Sequence, residues 1–303
     1  SRGLIILWSL VRTQPPPPTS FWFDPDMPEI RTIVSDADGT LVDTVSLIRH
    51  GQHQAARTFL EQHGIPAEEL PSYEEYVNVL NRHVGGSTRQ TLERTVRAFY
   101  EDRTHHIANL DFDELDQMLD PIQDKLDPEY VKPFPGLADM LTWIGNTGIR
   151  LAIATSDSRH HIVRNFGIAL GDYLGDDREL YKQDIDDQTK LEAFIGKIQQ
   201  TFNIPEMTIV TCEDVGHNTK PHPMCFQLAM QRLEADPRET LALGDHAVDM
   251  QTAANAGIAV RVGITHGFDG RDALIDAGAT HIISSLHGLQ PLVDNVHVNN
   301  LAA

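Results

Sequence analysis

Basic side chains are scarce in this sequence, which has 24 lysines and arginines against 44 aspartates and glutamates and a formal charge of −20 at pH 7. So negative a chain would leave the phosphates of a nucleic acid or an anionic membrane without neutralising contacts. We therefore expect no nucleic-acid partner and no membrane partner. A small phosphorylated metabolite would feel the same repulsion, so a site for one would need a metal ion and a local lysine to reverse the field.

Cysteine is rarer still, because the 303 residues contain only Cys212 and Cys225. Without a secretory context, two cysteines are more typical of buried free thiols than of a disulfide, which favours a reducing, cytoplasmic location. The 15 histidines include no His-Glu-x-x-His or comparable zinc spacing. The pairs His105-His106 and His160-His161 are therefore predicted to be surface residues.

The amino-terminal stretch has no hydrophobic run long enough to cross a bilayer. The apolar run at 4–11 is too short, and four prolines follow it at 15–18. We predict that residues 1–26 are a disordered leader outside the fold and that Met27 is the natural start. The remaining length is enough for two domains, and 41% hydrophobic with 22% charged residues is ordinary globular composition.

One stretch, from Ile33 to Thr44, reads Ile-Val-Ser-Asp-Ala-Asp-Gly-Thr-Leu-Val-Asp-Thr. The β-branched run at 32–34 predicts a buried strand, and the Asp-Gly step ends it, so Asp36 and Asp38 fall at its carboxyl end. Open α/β sheets bind their ligands there. Alternation along the strand points both carboxylates the same way, which suits a shared metal ion or phosphoryl group. The ligand spacing and closing glutamate of an EF-hand are missing.

Three later segments place polar residues at or after predicted strands. Thr155-Ser156 follows a strand, Lys220 stands in Asn-Thr-Lys-Pro-His-Pro at 218–223, and Gly-Asp-x-x-x-Asp occupies 244–249. Together with the first stretch, and in this order, they resemble the four motifs of the haloacid dehalogenase superfamily of phosphohydrolases. The similarity covers about residues 30–293, nearly the whole chain, and is closest to small-cap, phosphoglycolate-phosphatase-like members.

The resemblance implies a role for each motif residue. Asp36 would be the nucleophile that forms an aspartyl phosphate, and Asp38 would protonate the leaving oxygen and later activate water. Thr155 and Lys220 would donate hydrogen bonds to phosphoryl oxygens, and Ser156 would contact the substrate. Two positions depart from the usual pattern: Ser156 stands where asparagine is more common, and His246 where a small hydroxyl residue is common.

A magnesium ion is the cofactor that this resemblance implies, because a hard cation suits oxygen ligands and a phosphate. The residues assigned to the metal site are Asp36, Asp38 through its backbone carbonyl, Asp245 and Asp249. Asp249 lies four residues after Asp245, and we expect it to hold metal-bound water or to orient Lys220.

The predicted fold is α/β, with a doubly wound, mostly parallel, Rossmann-like sheet and an inserted α-helical cap. Residues 27–44 and 133–303 are assigned to the catalytic core, with strands after the first at 149–154, 208–211, 240–244, 258–262 and 281–283. Residues 45–132 carry helical stripes and no convincing strand, at the point where the superfamily inserts its cap. The acids at 111–129 are predicted to form a solvated helix face, and about 170–207 a surface elaboration of a helix plus loops.

The cap segment at 84–89, Val-Gly-Gly-Ser-Thr-Arg, is a candidate substrate-reading loop. Gly85 and Gly86 would let the backbone approach a ligand, and Ser87 can cap the helix that follows. Arg89 is unfavourably placed for the helix dipole, so a substrate anion would explain it. The alternative is an ordinary interhelical turn with a solvated arginine.

We predict magnesium-dependent hydrolysis of a small phosphomonoester by a monomer or homodimer. Dehalogenases of this superfamily lack the second acid, which is present here as Asp38. Phosphonoacetaldehyde-hydrolase-like C–P cleavage would need a lysine in the cap, and 45–131 contains only Lys125. A sugar-phosphate mutase remains an alternative, although the fourth motif is closer to that of the phosphatases. A catalytically inactive phosphometabolite-binding module is the alternative from a different class.

Overall fold

A computed structural model of the chain describes residues 29–83, 87–101, 107–175 and 186–294. Six parallel strands form one sheet in the order β5-β4-β1-β6-β7-β8, and the short strands β2 and β3 pair antiparallel beside it. The strands are β1 (Thr32–Ser35), β2 (Val42–Asp43), β3 (Lys132–Pro133), β4 (Arg150–Ala154), β5 (Met207–Val210), β6 (Thr240–Gly244), β7 (Val260–Ile264) and β8 (His281–Ile283).

Helices occupy most of the remaining described chain. Those before β4 are α1 (Val45–Gln62), α2 (Tyr73–Leu80), α3 (Thr88–Phe99), α4 (Phe112–Tyr130) and α5 (Leu137–Thr147). Those after it are α6 (Arg159–Ala169), α7 (Gly171–Leu174), α8 (Asp187–Phe202), α9 (Cys212–Val215), α10 (Met224–Arg232), α11 (Ala247–Asn255) and α12 (Arg271–Asp276). Short 3-10 turns lie at Ala67–Glu69, Pro237–Glu239 and Leu286–Gly288.

Both faces of the sheet are buried, as a doubly wound sheet requires. Along β1, Ile33 belongs to the hydrophobic cluster on one face and Val34 to the cluster on the other. The central strand β1 pairs with β4 and β6, so its carboxyl end lies between theirs. The predicted α/β fold with a mostly parallel sheet is confirmed.

The helices α1 to α4 share a hydrophobic cluster of their own, centred on Phe59, Tyr76 and Leu92. Four predicted helical segments coincide with these helices, and the Ser87 side chain accepts the Gln90 amide at 3.3 Å as the expected cap. We call 45–130 the cap helices. The chain leaves the core after β2 and returns through β3, which pairs with it, a ribbon that periodicity did not predict. The assigned domain boundaries stay a prediction.

Two expectations about the core need correction. The strand expected at 258–262 runs at Val260–Ile264, because Gly257 has a left-handed φ of +81° and Ile258 bonds back to Ala253 to close the preceding helix. The segment at about 170–207 does contain the expected helix, α8. Its buried side chains, Leu191 and Phe194 among them, belong to the main hydrophobic cluster, so this helix is part of the core packing and not a surface addition.

Several predictions fall outside the described residues: the leader at 1–26, the His105-His106 pair, and Gly85 and Gly86. Cys212 and Cys225 are free thiols, as expected, but only Cys225 is buried and Cys212 is partly exposed. No helix in the described ranges is both long enough and apolar enough to cross a membrane.

Candidate active site

The carboxyl ends of β1, β4 and β6 meet at a cavity of about 100 Å³ that the cap helices cover. Asp36 and Asp38 line it from the loop after β1, Thr155 and Ser156 from the loop after β4. Asp36 is only 8% exposed, so it is a buried group and not, as a loop position suggested, a solvent-facing one. Burial raises the pKa of Asp36 to about 6, against the opposing effect of Lys220.

A buried ion-pair network lies at the floor of this cavity. The Lys220 ammonium donates to Asp36 Oδ1 at 2.6 Å and to Asp249 Oδ1 at 2.8 Å. Burial alone would lower the pKa of Lys220, but Asp249 and Asp36 together raise it above the ordinary lysine value. The lysine therefore stays cationic and fixes both carboxylates, an arrangement consistent with the expected orienting role of Asp249.

Asp245 approaches the same point from the end of β6. Its Oδ1 accepts the Thr40 hydroxyl and its Oδ2 accepts the Phe268 amide, both at 2.7 Å. Burial, reinforced by Asp36 and Asp249, raises the pKa of Asp245 well above its ordinary value. The carboxylate is thus tightly held in a position where ionisation is opposed.

Glycines make room for Asp245. A Cβ at Gly39 would lie 2.4 Å from its Oδ2, and Gly39 also has a left-handed φ of +82°. A Cβ at Gly267 would lie 1.9 Å from the same oxygen and 2.4 Å from the Gly39 carbonyl oxygen. Only glycine fits at either position without displacing the acid.

The arrangement suits a hard divalent cation. Asp36, Asp245 and Asp249 each place one carboxylate oxygen so that all three lie within 4.8 Å of one another. Three carboxylates against the single ammonium of Lys220 leave two negative charges, which a divalent ion would balance. Oxygen-only donors in this number favour magnesium or a similar cation over zinc, which prefers nitrogen and sulfur.

Asp38 is held from two sides at the opposite wall of the cavity. Its Oδ1 accepts the Thr44 hydroxyl at 2.8 Å and the Asn165 amide at 3.3 Å. Burial, with Asp157 and Asp36 as further causes, raises the pKa of Asp38 well above its ordinary value. A carboxyl whose ionisation is opposed in this way is suited to donate a proton as a general acid.

Thr155 is buried, and its hydroxyl oxygen accepts the Asp157 amide at 3.0 Å. That contact leaves the hydroxyl proton available to a ligand. Asp157, which also lines the cavity, accepts the Thr88 hydroxyl of the cap and the His161 Nδ1 proton, each at 3.2 Å. Burial opposes its ionisation, but His161 and Arg164 lower the pKa of Asp157.

The prediction that His161 lies on the surface is wrong. The ring is almost fully buried between Asp157 and Asp120 of α4, and although burial lowers its pKa, these two acids raise the pKa of His161 to about 10. Next to it, buried Arg164 donates to Asp124 and Gln123 of α4. The acidic face of α4, expected to be solvated, is therefore in part the cap's contact with the core.

Arg89 is partnered within the cap. It donates to Asp113 and, at 2.9 Å, to Glu93, and it does not line the cavity. Two anions of the chain account for its charge, which removes the argument for an external anion, and its substrate-binding role stays an untested prediction. Lys125, the lysine that C–P cleavage would need, is exposed on α4 and does not line the cavity either.

The residues singled out in the four motifs line one cavity: Asp36, Asp38, Thr155, Ser156, Lys220, Asp245 and Asp249. Sequence reasoning missed Asp157, Asn165 and Thr40. Asp157 directly follows the second motif, so a charged residue at a strand end was an available signal. Asn165 and Thr40 had none, because one sits inside an amphipathic helix and the other in a turn.

Comparison with known proteins agrees with this geometry. A family model described as haloacid dehalogenase-like hydrolase matches residues 30–257. Pyrophosphatase PpaX of Oceanobacillus iheyensis is 28% identical over 232 residues, 76% of this chain and 81% of that protein. Phosphoglycolate phosphatase of Pseudomonas putida is 25% identical over 263 residues, 86% of this chain and 79% of that protein. A solved structure of a predicted phosphoglycolate phosphatase from Haemophilus somnus is similar in fold, with a TM-score of 0.63 at 18% identity, over 88% of this chain and 99% of that one.

Proposed function

The chain belongs to the haloacid dehalogenase-like hydrolases, and from this premise we propose that it is a magnesium-dependent phosphatase acting on a small phosphomonoester through an aspartyl phosphate on Asp36. The observation that carries the proposal is the Lys220 ammonium bound to both Asp36 and Asp249 on the floor of a capped cavity. An ammonium, together with a divalent cation that the acid cluster could hold, would offset the charge of a dianionic phosphate and let a carboxylate nucleophile approach it.

The first chemical step transfers the phosphoryl group to the protein. An Asp36 carboxylate oxygen forms a bond to phosphorus while the bond from phosphorus to the leaving oxygen breaks, and Asp38 gives its proton to that oxygen. Lys220 and the Thr155 hydroxyl donate to the phosphoryl oxygens. A bound divalent cation would neutralise phosphoryl charge and the surplus charge of the acid cluster, held by Asp36, the Asp38 carbonyl and Asp245, with Asp249 behind them.

The second step releases phosphate. Asp38, now a carboxylate, removes a proton from a water molecule as the water oxygen attacks phosphorus, and the bond to the Asp36 oxygen breaks. Thr44 and Asn165 hold Asp38 through both steps. The products are the alcohol and inorganic phosphate, and Asp38 is again protonated.

A direct test is acid quenching of the protein during turnover of an aryl phosphate, followed by mass spectrometry. We expect a hydroxylamine-labile phosphorylated peptide containing Asp36, accumulating in Asp38→Asn, and lost together with all turnover in Asp36→Asn. Phosphate release should require magnesium and stop with chelator. Turnover near that of the wild type in Asp36→Asn would refute the assignment, and binding of phosphate without any turnover would identify an inactive binding module.

The other members of the superfamily considered above lack such support. No lysine other than Lys220 lines the cavity among the described residues, so C–P cleavage has no candidate for a Schiff base. Nothing in the described cavity favours a mutase over a phosphatase. The small phosphorylated partner, the monomeric or homodimeric state and the cytoplasmic location remain part of the proposal.

A further inference from the structure

The part of the cavity that would hold the leaving alcohol has an unusual polarity. Beyond the acid cluster it is lined by the neutral side chains Gln52, Thr88, Thr91, Gln123 and Asn165 and by the carboxylate of Asp157, with apolar side chains between them. Amides, hydroxyls and a carboxylate can all accept hydrogen bonds. Because amides and hydroxyls can also donate, the groups that still lack a partner decide which ligand the wall favours.

Gln52 of α1 gives the strongest indication of that ligand. Its side chain is 3% exposed and lines the cavity, yet its Oε1 has no hydrogen-bond partner. Buried acceptors are normally satisfied, and an orphan acceptor in a native fold calls for an explanation. A ligand hydroxyl reaching into the cavity would satisfy it.

Asp157 offers a second acceptor on the same side. One of its oxygens already accepts from Thr88 and His161, so the carboxylate is ordered and its negative charge faces the cavity with a side chain 17% exposed. The histidine balances part of that charge. A neutral hydroxyl donor is therefore sufficient, and a second anion at this point would be repelled.

Cations that could receive an anionic leaving group are not available among the described cavity-lining residues. Lys220 is their only lysine or arginine, and it is bound to Asp36 and Asp249. His246 accepts the Val248 amide through Nδ1, and its Nε2 lies 3.7 Å from Asp269 Oδ2. Arg49 does not line the cavity; its guanidinium carbon lies 5.6 Å from the ring centre of Phe268, which does, and it donates to Asn81, although its Nε has no partner.

Resting on the proposed phosphatase activity, we propose that the alcohol released is a small uncharged polyol that donates to Gln52 and Asp157, and that a carboxylate or second phosphate on the leaving group is disfavoured. The cavity of about 100 Å³ limits its size. At roughly 10–15 Å³ for each water-sized group, it holds roughly seven to ten such groups, enough for a phosphoryl group and an alcohol of glycerol's size.

The test compares substrates of similar size that differ in charge. Glycerol 3-phosphate, 2-phosphoglycolate, pyrophosphate and an aryl phosphate are assayed for phosphate release with magnesium. We expect kcat/KM for glycerol 3-phosphate to exceed those for phosphoglycolate and pyrophosphate by about tenfold or more, the discrimination typical of an unpaired buried charge or donor.

A matched pair of variants on α1 tests the residue. Gln52→Leu should lower the ratio of kcat/KM for glycerol 3-phosphate to that for the aryl phosphate by about tenfold, because the hydroxyl loses its acceptor. Gln54→Leu, on the exposed side of the same helix, should keep the ratio of the wild type. Gln52→Leu should also melt no lower than the wild type, since it replaces a buried acceptor that has no partner.

The possible failures are distinguishable. If no substrate, including the aryl phosphate, releases phosphate, the proposed function fails and the polyol inference fails with it. If the aryl phosphate is hydrolysed but phosphoglycolate or pyrophosphate is preferred to glycerol 3-phosphate, only the polyol inference is overturned. If Arg49→Ala then lost the preference for the anionic substrates, Arg49 would be the residue that binds the charged leaving group. An unchanged ratio in Gln52→Leu would likewise overturn the inference.

Discussion

Replacing Asp245 by asparagine should stabilise the protein in the absence of divalent ions and destabilise it relative to the wild type in their presence. An asparagine side chain is nearly isosteric with the aspartate, and its amide can still accept from Phe268 and bond to Thr40, which contact the two oxygens now. What changes is charge. One of three clustered carboxylates becomes neutral.

The size of the stabilisation expected in Asp245→Asn follows from the spacing of the acids. Two unit charges 4.8 Å apart repel by about 3 kcal/mol at an effective dielectric constant near 20. Asp245 meets two such repulsions, which the Lys220 ammonium bound to both other acids offsets in part, so removing the charge of Asp245 gains about 3 kcal/mol. The two hydrogen bonds of the side chain lose their charge assistance, which costs about 2 kcal/mol. The net gain is about 1 kcal/mol, or a rise in Tm of about 2–4 °C.

The assay is thermal unfolding with and without magnesium, beside Asp272→Asn, which makes the same charge change at an exposed position. At a hundred times its dissociation constant, magnesium should stabilise the wild type by about 2.7 kcal/mol, and the variant much less. Lowering the pH should shrink the variant's advantage in chelator. A carboxyl whose pKa is raised on folding destabilises the fold above that pKa, and the penalty disappears as the pH falls through it.

Two results would refute this reasoning. If Asp245→Asn melts below the wild type in chelator, the acid cluster is not a source of electrostatic strain. If the variant keeps the full magnesium-dependent rise in Tm, Asp245 is not a ligand of the ion. A rise in the Asp272→Asn control as large as that in Asp245→Asn would trace the effect to net charge alone.

Three further outcomes are expected. Asp38→Asn should lower kcat/KM much more for alkyl than for aryl phosphates, because a good leaving group needs no proton. Gly267→Ala should weaken magnesium binding by about tenfold or more in calorimetry, since its Cβ would displace Asp245. His161→Gln should cost about 2 kcal/mol in urea unfolding at pH 6, with a loss that shrinks as the pH rises from about 6.5 and is gone above about 10, because the folded state holds the proton over that range and the unfolded state does not.

Each of these three predictions has a control or a result that would contradict it. Equal losses on both phosphate classes would exclude Asp38 as the acid. Gly270→Ala, where a Cβ meets nothing within 4 Å, should bind magnesium normally, and a matching loss there would mean a general disturbance of this loop. A stability difference for His161→Gln that is constant with pH would show that packing, not charge, holds the ring.

The parallel core was predictable because its signals are local. Short apolar runs, each separated from the next by a helical stretch, predicted five later strands to within about two residues of those observed. The β2–β3 ribbon was not predictable, since two residues on each side carry no periodicity. The burial of α8 was not predictable either. It depends on which helix packs against the sheet, and such tertiary contacts cannot be inferred from the sequence of one helix.

The placement of the motif residues was predictable for a different reason: four motifs fix residues that strand ends then bring together. The contacts that support it were not. Asn165, His161 and Gln52 lie within helices at positions where an amide or imidazole usually means a surface residue, and their burial results from the docking of one helix bundle on another. Pairing of Arg89 with Asp113 similarly joins residues of two helices that periodicity treats separately.

The antiparallel ribbon has a consequence for the evolution of this chain. Asp43 and Lys132 are cross-strand partners, so the polypeptide departs from the core and re-enters it at neighbouring points. A segment attached in this way can be exchanged for another, or for a hairpin turn, without moving either flanking strand of the main sheet. The part of the cavity wall formed by Gln52, Thr88, Thr91 and Gln123 therefore belongs to a segment that could be replaced as a unit, whereas Asp157 and Asn165 stay with the core.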